Sequence, residues 1–255
     1  WSATDSMRIE LAPRGVQVLT TLRHGAGVSL APFDRFNLGN CRDPSGDSPD
    51  AVARNRALLV ELAELPSPPH WLQQVHGVEV ARFVAPAGDA QQALVEADAS
   101  VTSEAGVVLS ILTADCLPVV FAADDGSEIG AAHAGWRGLA AGVLEATVAA
   151  MRTSPSQVRV WLGPAAGPAS YEIGAEVRDA FVAGDPGAHA AFIATRDGHW
   201  RIDLYTLARR RLEAVGIRGD AIHGGDRDTI AESEAFFSHR RDARTGRIAT
   251  LVWMA

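Results

Sequence analysis

Thr113-Ala-Asp-Cys-Leu-Pro118 is followed, seventeen residues after its cysteine, by His133-Ala-Gly-Trp-Arg-Gly138. Between them lie an apolar run from Leu117 to Ala122, a turn-forming Asp124-Asp-Gly-Ser127, and a second apolar run from Ile129 to Ala132. Two apolar runs around an Asp-Gly pair predict a β-hairpin. Folding the chain about Asp125-Gly126 sets position 116 opposite 133, within about two residues of register. Paired positions of an antiparallel ladder have Cβ atoms about 4.5–5.5 Å apart. The open end of the hairpin therefore brings a thiol to an imidazole, either as a nucleophile with its base or as two ligands of one metal.

Composition narrows the setting. A chain of 255 residues, 47% of them hydrophobic, can bury a full core and fits one large domain. No apolar run approaches the roughly 18–20 residues that span a bilayer. Trp1-Ser-Ala-Thr-Asp-Ser-Met7 lacks the basic and apolar regions of a signal peptide. We read residues 1–7 as a disordered or appended start, and residues 8–255 as the domain. Only Cys41 and Cys116 are present, which argues for a reducing cytoplasm. The formal charge of −8 argues against nucleic-acid and membrane-surface partners. All 23 basic residues are arginine, so lysine Schiff-base chemistry, pyridoxal-phosphate attachment and a P-loop lysine are excluded.

Along the chain, strands are predicted at Val16–Leu22, Trp71–His76, Val78–Val84, Val107–Leu112, Val158–Leu162 and Arg247–Met254. A helix should start at Ser48-Pro49 and end near Pro66. Others are predicted at 138–152, 175–183 and 203–215, with Asp203 as N-cap and Gly216 just past the end. Residues 85–97 read as a surface loop. Strands and helices mix without a regular βαβ beat, which predicts a single α+β domain.

Two more features bear on chemistry. His133 stands where a strand enters a helix whose N–H groups, with Arg137, would suit an anion such as phosphate. Gln73-Gln-Val-His-Gly77 supplies a further strand-end histidine. His76, Cys116 and His133 would together make a His2Cys set with a fourth position open, the mark of catalytic zinc. Asp115 could orient a ligand or carry a proton.

Gln74-Val-His-Gly77, Ala97-Asp-Ala99, Thr113-Ala-Asp-Cys-Leu-Pro-Val119, His133-Ala-Gly-Trp-Arg-Gly138, Tyr171-Glu-Ile-Gly174, Phe236-Phe-Ser238 and Arg240-Arg-Asp242 resemble the YfiH/laccase-domain family. So do Asn37-Leu-Gly39, Gly163-Pro164 and Thr245-Gly-Arg247. The resemblance implies a single-domain αββα-type sandwich related to the cytotoxic-necrotizing-factor and YfiH-like cysteine hydrolase fold. It implies zinc at His76, Cys116 and His133, and phosphorolysis of purine nucleosides together with adenosine deamination and methylthioadenosine cleavage. It makes Asn37, Gln74, Tyr171 and Arg240 substrate-binding candidates; Arg23 and Arg56 join Arg137 as candidates for orienting phosphate. The chain departs from the pattern at Ala169-Ser170, at Gly225-Asp-Arg-Asp228 and at His239, none of them a ligand position.

Other readings compete. Cys116 and His133 could form a cysteine amidohydrolase acting on a cell-wall precursor, or the fold could bind a metal or partner without turnover. Under the family's older description as a polyphenol oxidase, the eight histidines include no His-x-His pair and would not easily furnish several coppers. Copper could still occupy the His2Cys set in place of zinc.

Overall fold

The computed structural model describes residues 6–9, 13, 15–39, 41, 45–88 and 94–255. The first half of the chain contributes β1 (Ser6–Ile9), β2 (Val16–Thr21), β3 (Leu72–Gln73), β4 (Val80–Arg82), β5 (Val95–Glu96), β6 (Ala99–Thr102), β7 (Val108–Thr113) and β8 (Leu117–Ala123). The second half adds β9 (Ile129–Ala134), β10 (Val158–Leu162), β11 (Glu172–Gly174), β12 (Phe192–Arg196), β13 (His199–Ile202), β14 (Ile222–Gly224) and β15 (Ile248–Met254). The helices are α1 (Pro49–Leu62), α2 (Trp136–Ala141), α3 (Val143–Ala150), α4 (Ala175–Val182), α5 (Leu204–Ala214) and α6 (His239–Asp242).

Two sheets stack face to face. One has the order β1-β2-β15-β7; the other runs β14-β10-β8-β9-β6-β4. Val18, Leu109, Ile111 and Val252 of the first meet Val120, Ala122, Ala131 and Trp161 of the second in one apolar layer. The outer face of the second sheet carries Leu117, Val119 and Phe121, which pack on Leu144 and Val148 of α3 and Leu207 and Leu212 of α5. The outer face of the first carries Leu19, Ala249 and Leu251, covered by Leu59 of α1 with Phe36 and Leu38. Helix, sheet, sheet and helix thus form four layers. Because β8 and β9 are covered on both faces, every residue in them is buried, and they read as continuous apolar runs rather than alternating ones.

The predicted hairpin is present. Pro118 pairs with His133 and Leu117 with Ala134, so continuing the register sets Cys116 opposite Gly135. That lies within the predicted two-residue tolerance. Paired residues and their i±2 neighbours share a face, so Cys116 and His133 both point between the two sheets.

Five predicted segments differ. The single helix over 138–152 is α2 and α3, broken at Gly142, whose φ of 104° only glycine adopts without strain. The strands predicted over 71–76 and 78–84 shrink to β3 and β4, because Val75, His76 and Gly77 turn their N–H groups onto the Asp98 carboxylate. The predicted loop over 85–97 contains β5, while residues 89–93 lie outside the described residues. So do residues 1–5 of the predicted unordered start; Ser6 and Met7 belong to β1, paired with Thr21 and Thr20. Among the described residues no helix is long and apolar enough to cross a membrane.

Candidate metal centre and its cavity

His76, Cys116 and His133 arrive from three places: the turn after β3, the corner before β8, and β9. Their ligand atoms all lie within 4.8 Å of one another, and Cys116 Sγ is 3.7 Å from His76 Nε2. Ligands of one tetrahedral zinc at bond lengths of about 2.0–2.3 Å sit about 3.3–3.8 Å apart, so the cluster closes on an ion with small adjustments. The three residues therefore fit a metal. Among the described residues they are the only such group of three or more histidine, cysteine or acidic ligands.

A buried carboxylate sets their geometry. Asp98 Oδ1 accepts from His133 Nδ1 at 2.8 Å and from the His76 N–H at 2.9 Å. Its Oδ2 accepts from the N–H groups of Val75 at 3.1 Å and Gly77 at 2.6 Å. This wrap holds His76 at φ 63°, a conformation uncommon for a side-chain-bearing residue. It also commits His133 Nδ1 as a donor, which leaves Nε2 as the free ligand nitrogen. Gly135 is required here, because a Cβ would fall 2.8 Å from His76 Cδ2 and 2.9 Å from Cys116 Sγ.

The charges are coupled. Burial pushes the Cys116 thiol up, but the charge and hydrogen bond of His133, joined by those of His76, reverse this and bring it down to about 6. Burial likewise opposes protonation of His133, while the Cys116 thiolate and the Asp98 carboxylate hold its imidazolium above the ordinary histidine value. Asp98 would be raised by burial, yet the bonds from His133, Gly77 and Val75 keep it below the usual carboxylate range. Without a metal the pair is poised as thiolate and imidazolium, suited to nucleophilic chemistry; a metal bound at Nε2 would displace the proton there and take the neutral ring and the thiolate as ligands.

The cluster opens into a cavity of about 730 Å³. Four arginines, 56, 137, 240 and 247, line it with Asp115 as the only acidic residue among its described lining. A cationic hollow in a chain of net charge −8 focuses potential toward anions. Thr113 also lines the cavity, and its buried Oγ1 lacks a hydrogen-bond partner.

Most of the predicted substrate residues reach this cavity. Arg56, Gln74, Arg137, Tyr171 and Arg240 line it. The Gln74 side-chain amide, however, is engaged by the main chain of Leu112 at 2.8 and 2.9 Å. Arg137 lies over Trp136 at 4.3 Å and Arg240 over Tyr171 at 4.9 Å. Two predicted residues do not line it. Arg23 stacks on Phe237, donates to the Asp34 carbonyl and faces the carboxylates of Asp34 and Asp242; as a tie between loops it has no free face for phosphate. Asn37 is fully buried and accepts from the N–H groups of Gly39 and Arg247. Asp115 lines the cavity, but its carboxylate accepts from Thr229 Oγ1, Ser238 Oγ and the Arg240 N–H. It anchors the C-terminal loops, and Asp98, instead, orients the ligands. Sequence reasoning missed Asp98 and Arg247 as site residues; the signal for Asp98 is a lone acid within the otherwise uncharged Ala97–Val101 stretch.

An α+β sandwich with a His2Cys cluster in a cationic cavity defines a class of metal-competent enzyme-like proteins. The family model of the multi-copper polyphenol oxidoreductase laccase matches residues 17–255, and the chain belongs to this laccase-like, YfiH family. A purine nucleoside phosphorylase of Xylella fastidiosa is 61% identical over 95% of this chain and 94% of its own length. The purine nucleoside phosphorylase YfiH of Escherichia coli is 49% identical over 95% of each. Among solved structures, Neisseria meningitidis protein NMB0706 superposes with a TM-score of 0.89 at 40% identity, covering 98% of this chain and 99% of that one. YlmD from Geobacillus stearothermophilus gives 0.90 at 32% identity, covering 100% and 97%.

Proposed function

We propose that the protein is a cytoplasmic, single-domain, zinc-dependent purine nucleoside phosphorylase that also deaminates adenosine and cleaves methylthioadenosine. The observation that carries this reading is the union, in one cavity of about 730 Å³, of a His2Cys cluster with four arginines against one acid. A cavity of this size holds a nucleoside and an anion together. The relatives named as purine nucleoside phosphorylases support the same substrates.

His76, Cys116 and His133 would hold the metal, with Asp98 fixing the tautomer of His133. A bound zinc supplies Lewis acidity and water activation near neutral pH. The arginine-lined wall draws phosphate in and keeps its charge near the reacting sugar. The aromatic ring of Tyr171, partly buried beside Arg240, offers a face for a purine base.

The decisive experiment is a nucleoside panel with and without phosphate, on metal-loaded and chelated protein. Free base and ribose 1-phosphate should form from inosine or adenosine only with phosphate, and adenosine should yield inosine without it. Activity that ignores phosphate throughout would refute phosphorolysis, and full activity after verified metal removal would refute the metal.

The Cys116 thiol, lowered by the charge and hydrogen bond of His133 and by His76 at 3.7 Å, favours a second reading, a cysteine amidohydrolase with Cys116 as nucleophile and His133 as base, acting on a cell-wall precursor. It would form an acyl-enzyme at Cys116 and need no metal. A laccase-type oxidase is the weaker alternative, since the described residues supply one three-ligand group where several coppers need more.

A further inference from the structure

Among the four cavity arginines, Arg247 is held differently from the others. Arg56, Arg137 and Arg240 each lie over an aromatic ring, at 4.1, 4.3 and 4.9 Å. Among the described residues Arg247 has no such ring; like Arg137 and Arg240, it forms no ion pair there. Its hydrogen bonds run from Nη1 to the carbonyls of Thr245 at 3.1 Å and Gly246 at 2.8 Å, leaving Nε and Nη2 unassigned. Shortage of acids does not explain this, because Asp and Glu number 31 against 23 basic residues.

The residue is nonetheless rigidly built in. Asn37 Oδ1 accepts from the Arg247 N–H at 2.8 Å and from the Gly39 N–H at 3.1 Å. The Leu38 N–H donates back to the Arg247 carbonyl at 3.1 Å. Gly39 lets the stem pass: a Cβ there would stand 3.2 Å from Arg247 Cγ and 2.9 Å from Leu112 Cδ1. Burial disfavours the guanidinium charge, and the charges that oppose this come from Cys116 and then Asp115. Arg247 is half-buried, and its Nε and Nη2, which make no hydrogen bond among the described residues, are placed to serve an anion entering the cavity. On the neighbouring strand, Thr113, paired with Ile248, adds a second unmet donor to the cavity wall.

We propose that Arg247 is the anchor of an oxyanion subsite, binding the phosphate co-substrate beside Cys116. The identity of the anion as phosphate rests on the phosphorolysis reading above; the presence of an anion site does not. The guanidinium fork presents parallel N–H donors to two oxygens of a tetrahedral anion. The predicted alternative, the helix terminus carrying Arg137, is the start of a helix of six residues, and its arginine is already stacked on Trp136. Asn37 enters the function indirectly, by fixing the main chain of Arg247.

Inorganic phosphate binding is measured by calorimetry on metal-loaded wild type, Arg247→Met, Arg247→Lys and Arg137→Met, each without and with saturating inosine. Arg247→Met should lose at least about tenfold in phosphate affinity, Arg247→Lys less, and Arg137→Met less than Arg247→Met. Wild-type affinity in Arg247→Met, a larger loss in Arg137→Met, or no phosphate binding by wild type in either state overturns the assignment. If Arg247→Met does not fold, modification of wild-type Arg247 by phenylglyoxal, read by peptide mass spectrometry, decides: phosphate should slow it, and an unchanged rate overturns the proposal. Phosphate binding through Arg247 in a protein that cleaves no nucleoside would refute phosphorolysis and leave the anion site standing.

Discussion

Replacing Asp98 by asparagine tests how the ligand set is held. The carboxylate receives four N–H donors, those of His76 and His133 on Oδ1 and those of Val75 and Gly77 on Oδ2. An amide has one oxygen: with its NH2 group toward Val75 and Gly77 two donors go unmet, and with it toward His76 and His133 the His76 N–H goes unmet while the His133 ring changes tautomer. Each buried unmet donor costs about 1–3 kcal/mol, giving a loss of about 1–6 kcal/mol from a total stability of about 5–15 kcal/mol. For a chain of this size that lowers Tm by roughly 2–24 °C. With the NH2 toward His133, the ring must accept at Nδ1 and carry its proton on Nε2, which removes the lone pair a metal needs. With the NH2 toward Val75 and Gly77, the turn that holds His76 loses its anchor instead. Either way zinc affinity should fall by about 10–100-fold. Thermal melts with and without zinc, beside competition against a chromophoric chelator, measure both effects. An Asp98→Asn protein that melts like wild type and binds zinc within about threefold of it would refute the argument. Because Asp98 is held below the usual carboxylate range, its stabilisation is present above about pH 3.9 and lost as pH falls through the lower folded value.

Cys116→Ala and His133→Ala should each remove most bound metal, read by elemental analysis after gel filtration; stoichiometric zinc in either would sink the three-ligand site. Gly135→Ala pushes a methyl group into Cys116 Sγ and the His76 ring, so it should weaken metal binding at least tenfold while far-ultraviolet circular dichroism stays native. In metal-free protein the Cys116 thiolate forms around pH 6, so alkylation by iodoacetamide should rise through that pH and level off by about pH 7.5. A midpoint near the unperturbed value of about 8.5 would contradict the His133 pairing. Glu128, buried and accepting from Arg82, Arg152 and Thr153, ties the start of β9 to the chain beyond α3. Burial raises its carboxyl, but those bonds hold it below the usual range. Its contribution is therefore full above about pH 4.3 and fades as pH falls through the folded value. Glu128→Gln should cost about 1–3 kcal/mol at pH 7 in urea unfolding, with the gap to wild type narrowing in acid.

The hairpin was legible because two covered strands need unbroken apolar runs, and Asp125-Gly126 marks the only turn between them; Gly126 indeed sits at φ 73°. The break between α2 and α3 was not, because Leu139, Val143, Leu144 and Val148 keep helical spacing straight across Gly142. Periodicity reports which face is buried, and both short helices bury the same one. The region of β3 and β4 misled for another reason. Its alternation reads as strand, while the Asp98 carboxylate competes for the backbone N–H groups at 75–77, and that partner lies more than twenty residues away.

The site divides along the same line between residue type and partner. Cys116 and His133 could be paired from local pattern, since a hairpin fixes its own register to within a step. His76 needed a third segment, whose arrival depends on Asp98. Family motifs marked Asn37 as readily as Arg137 and Arg240, because a motif preserves whatever the site requires, contact or support. Only the structure separates them: the Asn37 amide is turned to the main chains of Gly39 and Arg247, whereas Arg247 reaches the cavity. Arg247 itself was read as the start of a strand, which it borders, and an arginine at a strand end carries no sequence mark of being unpaired. What distinguishes it from Arg56, Arg137 and Arg240 is that its guanidinium lies over no aromatic ring among the described residues while Asn37 fixes its main chain, a property of three-dimensional surroundings. The same holds for Thr113, whose hydroxyl is unremarkable in sequence and becomes informative once buried without a partner.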